Sequence, residues 1–550
     1  MEYKAESLGE VVDANRLVSS SYEIFFRVDL EYAKLCSTTL DSSAIHKFKK
    51  AVKRDYYFQF FFDSLPLWGF IGKVEKEKDP QHAQFEDIHM SEKSHLSIPH
   101  MERSYLFTHL HFDIHFNDDR VIEVSLSTDP TQVVDITEVG PEPIKVDFSY
   151  SVKWRSTVID FSQRMLKYQR YQFLPQHLEI HWFSIINSMI TVLLLLAFLT
   201  TILLKILKKD FARYNAVLAE EDEEFGEDET GWKLVHGDVF RFPQHKAIFA
   251  AFVGAGTQIF VVVMIIFSLA MLDVFYPYNR GAFYTAAIVS LTLTSAISGY
   301  VAASLNRQME GDRWARTMVF TMASIALPFM LVFFFNNTVA WVYGSTAAFP
   351  FGTIIIIAVI FLFAAFPLTL LGGVLGKNRE ASAEFDAPCR TNKYVREIPP
   401  LPWYRTTVPQ MLIAGFLPFS AIYIELYYVF ASVWGHKMYT VFSILFIVFI
   451  ILILVTAFIT VSLTYFQLSV EDHRWWWRSM LSGGSTAIFI YSYCFYYFHA
   501  RSEMDGLLQT SFFFGYMLCV CWTFFLMLGA IGWRSSLWFV RKIYREIKAE

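Results

Sequence analysis

A glutamate, Glu425, stands in the middle of the apolar stretch Phe419-Ser-Ala-Ile-Tyr-Ile-Glu-Leu-Tyr-Tyr428. A carboxylate at the centre of a bilayer costs about 2.5–3.5 kcal/mol on insertion scales, so this side chain is expected to face a protein interior. Tyr428 lies three residues on, and Ala421 and Ile422 lie four and three residues before, so all share one helical face. A hydrogen bond from the Tyr428 phenol would offset part of the cost, with Glu425 protonated. Two chemistries follow: a polar point that engages polar groups of other helices or relays protons, or a neutral carboxyl bonded between helices for packing.

Three histidines, His109, His111 and His115, alternate with Leu110, Phe112, Ile114 and Phe116, which puts them on one strand face with Asp113. Neutral imidazole ligates zinc and titrates near pH 6.5, so metal binding and acid sensing are both chemically open. A solvated strand face explains the residues equally well, and no metal site is expected. Asn336-Asn-Thr338 is a formal glycosylation sequon, close to the end of an apolar stretch. No P-loop, Rossmann glycine pattern, HExxH or nucleophile elbow occurs, so neither a catalytic residue nor a cofactor site is expected, and the chain does not read as an enzyme.

The elements that position these residues follow from composition. Of 550 residues 54% are hydrophobic and 18% charged, too apolar for a chain of soluble domains. The net charge of −5 traces mostly to the run Glu220-Glu-Asp-Glu-Glu-Phe-Gly-Glu-Asp-Glu229, and nothing reads as a nucleic-acid interface. Cys36, Cys389, Cys494, Cys519 and Cys521 show neither metal spacing nor a disulfide framework.

A helix needs about 20 apolar residues to cross the hydrocarbon. Nine stretches qualify, near residues 183 to 206, 247 to 272, 281 to 305, 315 to 335, 350 to 376, 409 to 434, 439 to 466, 479 to 499 and 507 to 533. One set of connections holds 23 Lys and Arg residues, from Lys205 to Lys548, against 3 in the other, Arg280, Lys437 and Arg501. The positive-inside rule puts the basic set and the C-terminus in the cytosol and, nine being odd, the N-terminal domain in the lumen. Trp475-Trp-Trp477 is expected to anchor a helix at the membrane interface. Ser295, Gly299 and Ala303 recur every four residues, which lets a neighbouring helix approach closely. Pro328, Pro367 and Pro418 interrupt three spans and free backbone carbonyls.

Before His181 the pattern changes. Val146, Phe148, Tyr150, Val152 and Trp154 alternate on one face, and with the histidine strand, Tyr56 to Phe62 and Tyr22 to Leu30 they argue a β-rich, sandwich-like domain. The expected organisation is a lumenal β-rich domain over 1–180 and an all-α nine-helix membrane bundle over 181–533 with a cytosolic acidic loop at 208–245. A cytosolic tail over 534–550 completes it. The first thirty residues lack the apolar core of a secretory signal, and Cys36 has no partner, so the N-terminal domain is expected to be incomplete.

Specific motifs run almost the whole length. They include Leu178-Glu-Ile-His-Trp-Phe-Ser-Ile-Ile-Asn187, Trp232-Lys-Leu-Val-His-Gly-Asp-Val-Phe-Arg-Phe-Pro243, Phe366-Pro-Leu-Thr369, Gly376-Lys-Asn378, Pro388-Cys-Arg-Thr-Asn-Lys393 and Arg396-Glu-Ile-Pro399. Pro402-Trp-Tyr404, Phe416-Leu-Pro-Phe-Ser420, Glu425-Leu-Tyr-Tyr428, Thr464-Tyr-Phe-Gln-Leu468 and Arg474-Trp-Trp-Trp-Arg478 follow. In these the chain resembles the nonaspanins, the transmembrane 9 superfamily. It looks closest to the member 1 branch, by Leu8-Gly-Glu-Val11 and Phe385-Asp-Ala-Pro-Cys389, although Gly237 stands where the family pattern has Thr.

The resemblance implies residence in Golgi and endosomal or lysosomal membranes, sorting and surface delivery of membrane-protein clients, and an association with adhesion and autophagy. It also implies a C-terminal Lys-X-Asp/Glu signal read by the COPI coat, which Lys548-Ala-Glu550 fits. Such a signal is a receptor-read address and not an anchor. The alternative is a proton-coupled transporter or channel built around Glu425.

Overall fold

The computed structural model describes residues 7–12, 17–76, 102–129, 131–137, 143–164, 182–219, 231–275, 281–311, 313–345, 347–379, 384–434, 442–502, 504 and 506–545. Two compact units emerge, one of Met1–Lys4 with Leu17–Leu178, the other of Ala5–Arg16 with Glu179–Glu550. The short helix α1 (Leu8–Val12) thus belongs to the second unit.

In the first unit β1 (Leu30–Leu40) is followed by helix α2 (Ser42–Lys53), whose first turn is capped by Asp41 accepting from the Ala44 N–H at 2.9 Å. Strands β2 (Tyr57–Phe62) and β3 (Leu65–Phe70) form a hairpin whose turn residues Asp63 and Ser64 both have positive φ, as tight hairpin turns require. Strands β4 (Gly72–Lys76), β5 (Glu102–Phe107) and β8 (Val133–Asp135) make a three-stranded sheet. Strands β6 (His109–Asn117), β7 (Arg120–Thr128) and β9 (Ile144–Ser156) join β1 in the order β1-β9-β6-β7, with β6 and β9 parallel.

The expected alternation holds on β9, where Val146, Tyr150, Val152 and Trp154 are buried and Phe148 is half-buried. Leu40, Ile45, Val52, Leu106, Ile136 and Val146 form one core between α2 and the sheets. The β-rich expectation stands, with one correction. Residues 22–29 are not a strand, because Arg27 adopts a left-handed φ of 60° and the aromatic side chains cap the sheet instead. Tyr22 meets Phe60, Phe112 and Tyr150 edge-on at 5.1–5.4 Å, and Phe26 meets Phe116 and Trp154.

The second unit is helical: α3 (Trp182–Ala219), α4 (Lys246–Met271), α5 (Ala282–Leu293), α6 (Ser295–Gln308), α7 (Trp314–Val342), α8 (Phe351–Ile360) and α9 (Phe366–Asn378). Next come α10 (Thr407–Trp434), α11 (Phe442–Leu468), α12 (Trp475–Gly484), α13 (Thr486–Ala500) and α14 (Gly506–Arg545). Among the described residues eight spans are long and apolar enough to cross a membrane; α5 with α6 and α8 with α9 each count as one. The stretch expected at 479 to 499 is helical, as α12 and α13 in series, but is not among the eight. It breaks at Ser485 and carries Ser479, Ser482, Thr486, Tyr493 and Tyr497, all buried. A helix surrounded by other helices can hold hydroxyls that a lipid-facing one cannot.

Two expected boundaries move. Residues 208–219 continue α3 where a loop was expected, and 534–545 continue α14 where a tail was expected. In the second case Ser536, Leu537, Val540, Ile543 and Tyr544 are buried, so the helix goes on packing against protein beyond its apolar part. Pro328 and Pro418 sit inside continuous helices, whereas Pro367 follows a π-helical turn, Phe361–Ala365, which takes up its missing hydrogen bond.

The four-residue spacing on α6 does what it predicts. A Cβ on Gly299 would lie 2.0 Å from the Thr369 carbonyl oxygen, one on Gly372 only 1.9 Å from that of Ala296, and one on Gly376 2.4 Å from that of Tyr300. Backbone therefore touches backbone along the α6–α9 seam. Gly372→Ala is expected to lower stability by about 1–3 kcal/mol, as overpacking does. Gly352→Ala, where nothing lies within 4 Å, leaves it unchanged. Thermal melting of the solubilised protein checks both.

Candidate functional site

The Trp232 motif folds into a 3-10 turn, Trp232–Val235, and tight turns through Phe240, and its Trp232, Val235, Val239 and Phe240 are buried. Its carbonyls are held from three directions. The Tyr544 hydroxyl donates to Trp232 O at 2.6 Å, Trp475 Nε1 to Val239 O at 2.8 Å, and Trp477 Nε1 to Gln244 O at 2.8 Å. Trp475 and Trp476 stack with ring centres 5.0 Å apart and are 0% and 2% exposed. This corrects the interfacial-anchor expectation: these indoles are core, packed with Phe249 and Trp533, because the folded motif covers the end of the helix on which they stand.

Charges bind the same segments together. Buried Asp238 accepts from Arg241 Nε at 3.0 Å and from the Arg396 N–H at 3.3 Å, and Arg396 pairs with Glu471 at 2.9 Å. The Asn392 N–H donates to Gly237 O at 2.7 Å, and Arg241 Nη2 donates to Asn392 O at 2.9 Å. A Cβ on Gly237 would meet the end of the Asn392 side chain at 2.1 Å, so Asn392 packs directly over this glycine. Asp472 and Arg478 form a buried pair at 2.7 Å, and Arg478 also donates to Arg405 O. His473 is buried beside them. Burial lowers its pKa, while Asp238 and Asp472 pull the other way. The sequence reading missed Asp238, Asp472 and Tyr544; the one available signal was an acid and a base bracketing the Trp triplet. Removing one partner of a buried pair strands the other, so Arg478→Met is expected to cost about 3–5 kcal/mol. Asp472→Leu combined with Arg478→Met costs less than Arg478→Met alone, as a double-mutant cycle of unfolding midpoints will record.

On β6 His109 and His111 are bonded rather than solvated, whereas buried His115 Nδ1 has no hydrogen-bond partner among the described residues. His109 Nδ1 lies 2.8 Å from Ser149 Oγ, and the Ser151 hydroxyl sits between His109 Nε2 at 2.8 Å and His111 Nδ1 at 2.7 Å. Among the described residues no three His, Cys, Asp or Glu side chains gather to hold a metal. Burial lowers the His109 pKa below its ordinary 6.5, against the pull of Asp129 and with the push of His111. The folded state therefore takes up this proton at lower pH than the unfolded chain, and the group's contribution to stability is present above about pH 6.5 and lost as pH falls below it. Hydrogen-exchange protection at β6 and β9, corrected for the intrinsic pH dependence of amide exchange, is expected to fall between about pH 7 and about pH 5, and His109→Gln lessens that fall.

Glu425 lies on α10, 5% exposed, and among the described residues neither carboxyl oxygen has a hydrogen-bond partner. The expected bond from Tyr428 does not reach it. Tyr428 is half-buried on the same helix, so one helical turn brings the two residues to one side without bringing the phenol to the carboxyl. Asn336 is buried inside α7 with its amide beside Gly515, a position closed to glycosylation in the folded protein. Lys548 and Glu550, like the acidic run 220–229, lie outside the described residues. What the site offers chemically is an unpaired acceptor inside an apolar bundle, above a rigid base of indoles and ion pairs.

The family model described as Endomembrane protein 70 matches residues 1–507. Transmembrane 9 superfamily member 4 of Arabidopsis thaliana is 54% identical over 549 residues, covering 100% of this chain and 88% of its own length. Member 2 of the same plant is 55% identical and member 1 of Bos taurus 42% identical, each with the same coverage. No solved structure matches. The chain belongs to the transmembrane 9 superfamily, the endomembrane protein 70 family of integral multi-pass membrane proteins.

Proposed function

We propose that the protein is a sorting receptor that localises other transmembrane proteins within the Golgi and endosomal or lysosomal system, and contributes there to autophagy. The N-terminal domain is lumenal, and the Trp232 base and C-terminus are cytosolic, in keeping with the concentration of Lys and Arg at that end of the bundle. Its partners are the lipid bilayer, membrane-protein clients and the COPI coat, which reads Lys548-Ala-Glu550. It needs no cofactor and performs no catalysis.

The observation that carries this reading is the anchoring of α14. The helix runs unbroken to Arg545, three residues before Lys548, and is pinned by the Tyr544–Trp232 hydrogen bond and an Arg545–Asp386 ion pair. A retrieval address gains from a short reach off a rigid base, since a coat must find its charge at a fixed distance from the membrane. Lys548→Ser is expected to shift the protein out of the Golgi in cells. An unchanged distribution removes the tail from the reading.

A second reading rests on Glu425, whose unpaired carboxyl is also what a proton-coupled transporter would carry. Proton flux into liposomes that disappears in Glu425→Gln favours it. Tight vesicles beside intact client binding dismiss it.

A further inference from the structure

We infer that Glu425 marks a lateral docking site for a transmembrane helix that carries an unpaired hydrogen-bond donor, a lysine, arginine or amide side chain, within the hydrocarbon. The inference rests on the sorting-receptor reading and names the chemistry of its client.

Glu425 follows Ala414 by eleven residues, and at 3.6 residues per turn the two side chains leave α10 within about 20° of each other. Buried Pro418 and Ala421 lie between them on the same side. Ala414 belongs to a small cluster with Ile451, Val455 and Ile459 of α11, and on this cluster rest Met189 and Val192 of α3. The face bearing Glu425 is thus the one that meets α11 and α3.

Helix α3 is the loosely held member of that trio. Among the described residues its covered side chains follow one stripe, Met189 and Val192 toward the α10–α11 cluster, half-buried Leu196 and Leu199, then Leu203, Ile206 and Leu207 on the tryptophan-rich base. Ile190, Leu194, Phe198 and Leu204 on its other sides are exposed. Tilting α3 away from the α10–α11 seam forfeits the contacts of half-buried side chains such as Met189 and Val192, while the base keeps its lower end in place. A second helix can then lie where α3 lay.

The chemistry of the occupant follows from what is missing. A carboxyl with no partner in an apolar interior is unfavourable, and a lysine or asparagine without a partner in a client helix is unfavourable for the same reason. Pairing the two satisfies both groups at once, so the site distinguishes a helix with an orphan donor from one without. A client helix whose donor is already paired within its own assembly offers nothing to Glu425. The site therefore selects membrane proteins whose intramembrane polar groups have yet to find their partners.

The test uses the full-length protein in nanodiscs with synthetic leucine–alanine helices of about 20 residues, each bearing a central lysine, asparagine or leucine and a photo-crosslinker. Lysine and asparagine guests are expected to crosslink to α10 or α11 at least about tenfold more than the leucine guest. Glu425→Gln keeps capture of the asparagine guest, since an amide still accepts, and loses the preference for lysine; Glu425→Leu loses both. Val455→Trp on α11, which leaves Glu425 in place and fills the seam whether or not α3 has moved, lowers capture of both polar guests and guards against a misfolded Glu425 variant. Equal capture of the leucine guest, or lysine capture indifferent to Glu425→Gln and Val455→Trp, overturns the inference. Helices captured elsewhere on the bundle overturn it while sparing the receptor reading, whereas polar capture at Glu425 with no effect of Lys548→Ser spares the site and sinks the retrieval reading.

Discussion

Inside hydrocarbon a polar group has no water to turn to and must be satisfied by the protein itself. Much of the helical unit follows from that constraint. Thr321 and Thr460 return their hydroxyls to carbonyls one turn back, Thr464 donates to Ser536 across helices at 3.0 Å, and Gln258 reaches the Leu291 carbonyl at 2.8 Å. Ser295 spans from α6 to the Ala365 carbonyl beside the π-helical turn. Because such partners are available only between helices, the polar segment α12–α13 has to run through the interior, and the more uniformly apolar α3 and α8 can face lipid.

The same constraint shapes the base. The Trp232 motif contributes backbone carbonyls to the heart of a cluster of aromatic rings, where each needs a donor that brings no charge with it. Indole N–H groups and a phenol supply that, and an indole also fills the volume that shields the bond. The tryptophans and the motif therefore explain each other: one makes the other's burial tolerable. The Asp472–Arg478 and Asp238–Arg241 pairs act at the rim of this cluster, where three separate loops must be held in register. The most recognisable stretch of sequence is thus part of the scaffold of the protein.

How much of this was legible in the sequence depended on the range of the interaction concerned. Alternation on β6 and β9 and four-residue spacing on α6 are local periodicities, and both appear as read. Tyr22 to Leu30 reads as a strand only while its neighbours are unknown; its rings are held by β2, β6 and β9, and its backbone follows them. Trp475 to Trp477 between two arginines looks interfacial because interface and core ask for the same residue, and only the covering motif, more than two hundred residues away in sequence, decides between them. The extension of α14 to Arg545 was hidden for a related reason: its last turns bury one side against protein, so hydropathy falls while the helix continues.

Glu425 shows the constraint from its other side. Its burial was legible, since a carboxylate amid apolar residues has few places to go, but its lack of a partner was not, because Tyr428 stood at the right spacing to supply one. A bundle that brings Gln258, Ser295 and Thr464 to partners on other helices has the means to satisfy a carboxyl as well. Among the described residues Glu425 is nonetheless left without a bond, as the Asn336 amide is, and on the face that the loosely held α3 shares, which is costly for folding. The two ends of the bundle differ accordingly: indole, phenol and ion-pair contacts tie the base to the Trp232 motif, and above it the Glu425 carboxyl stays without a bond among the described residues.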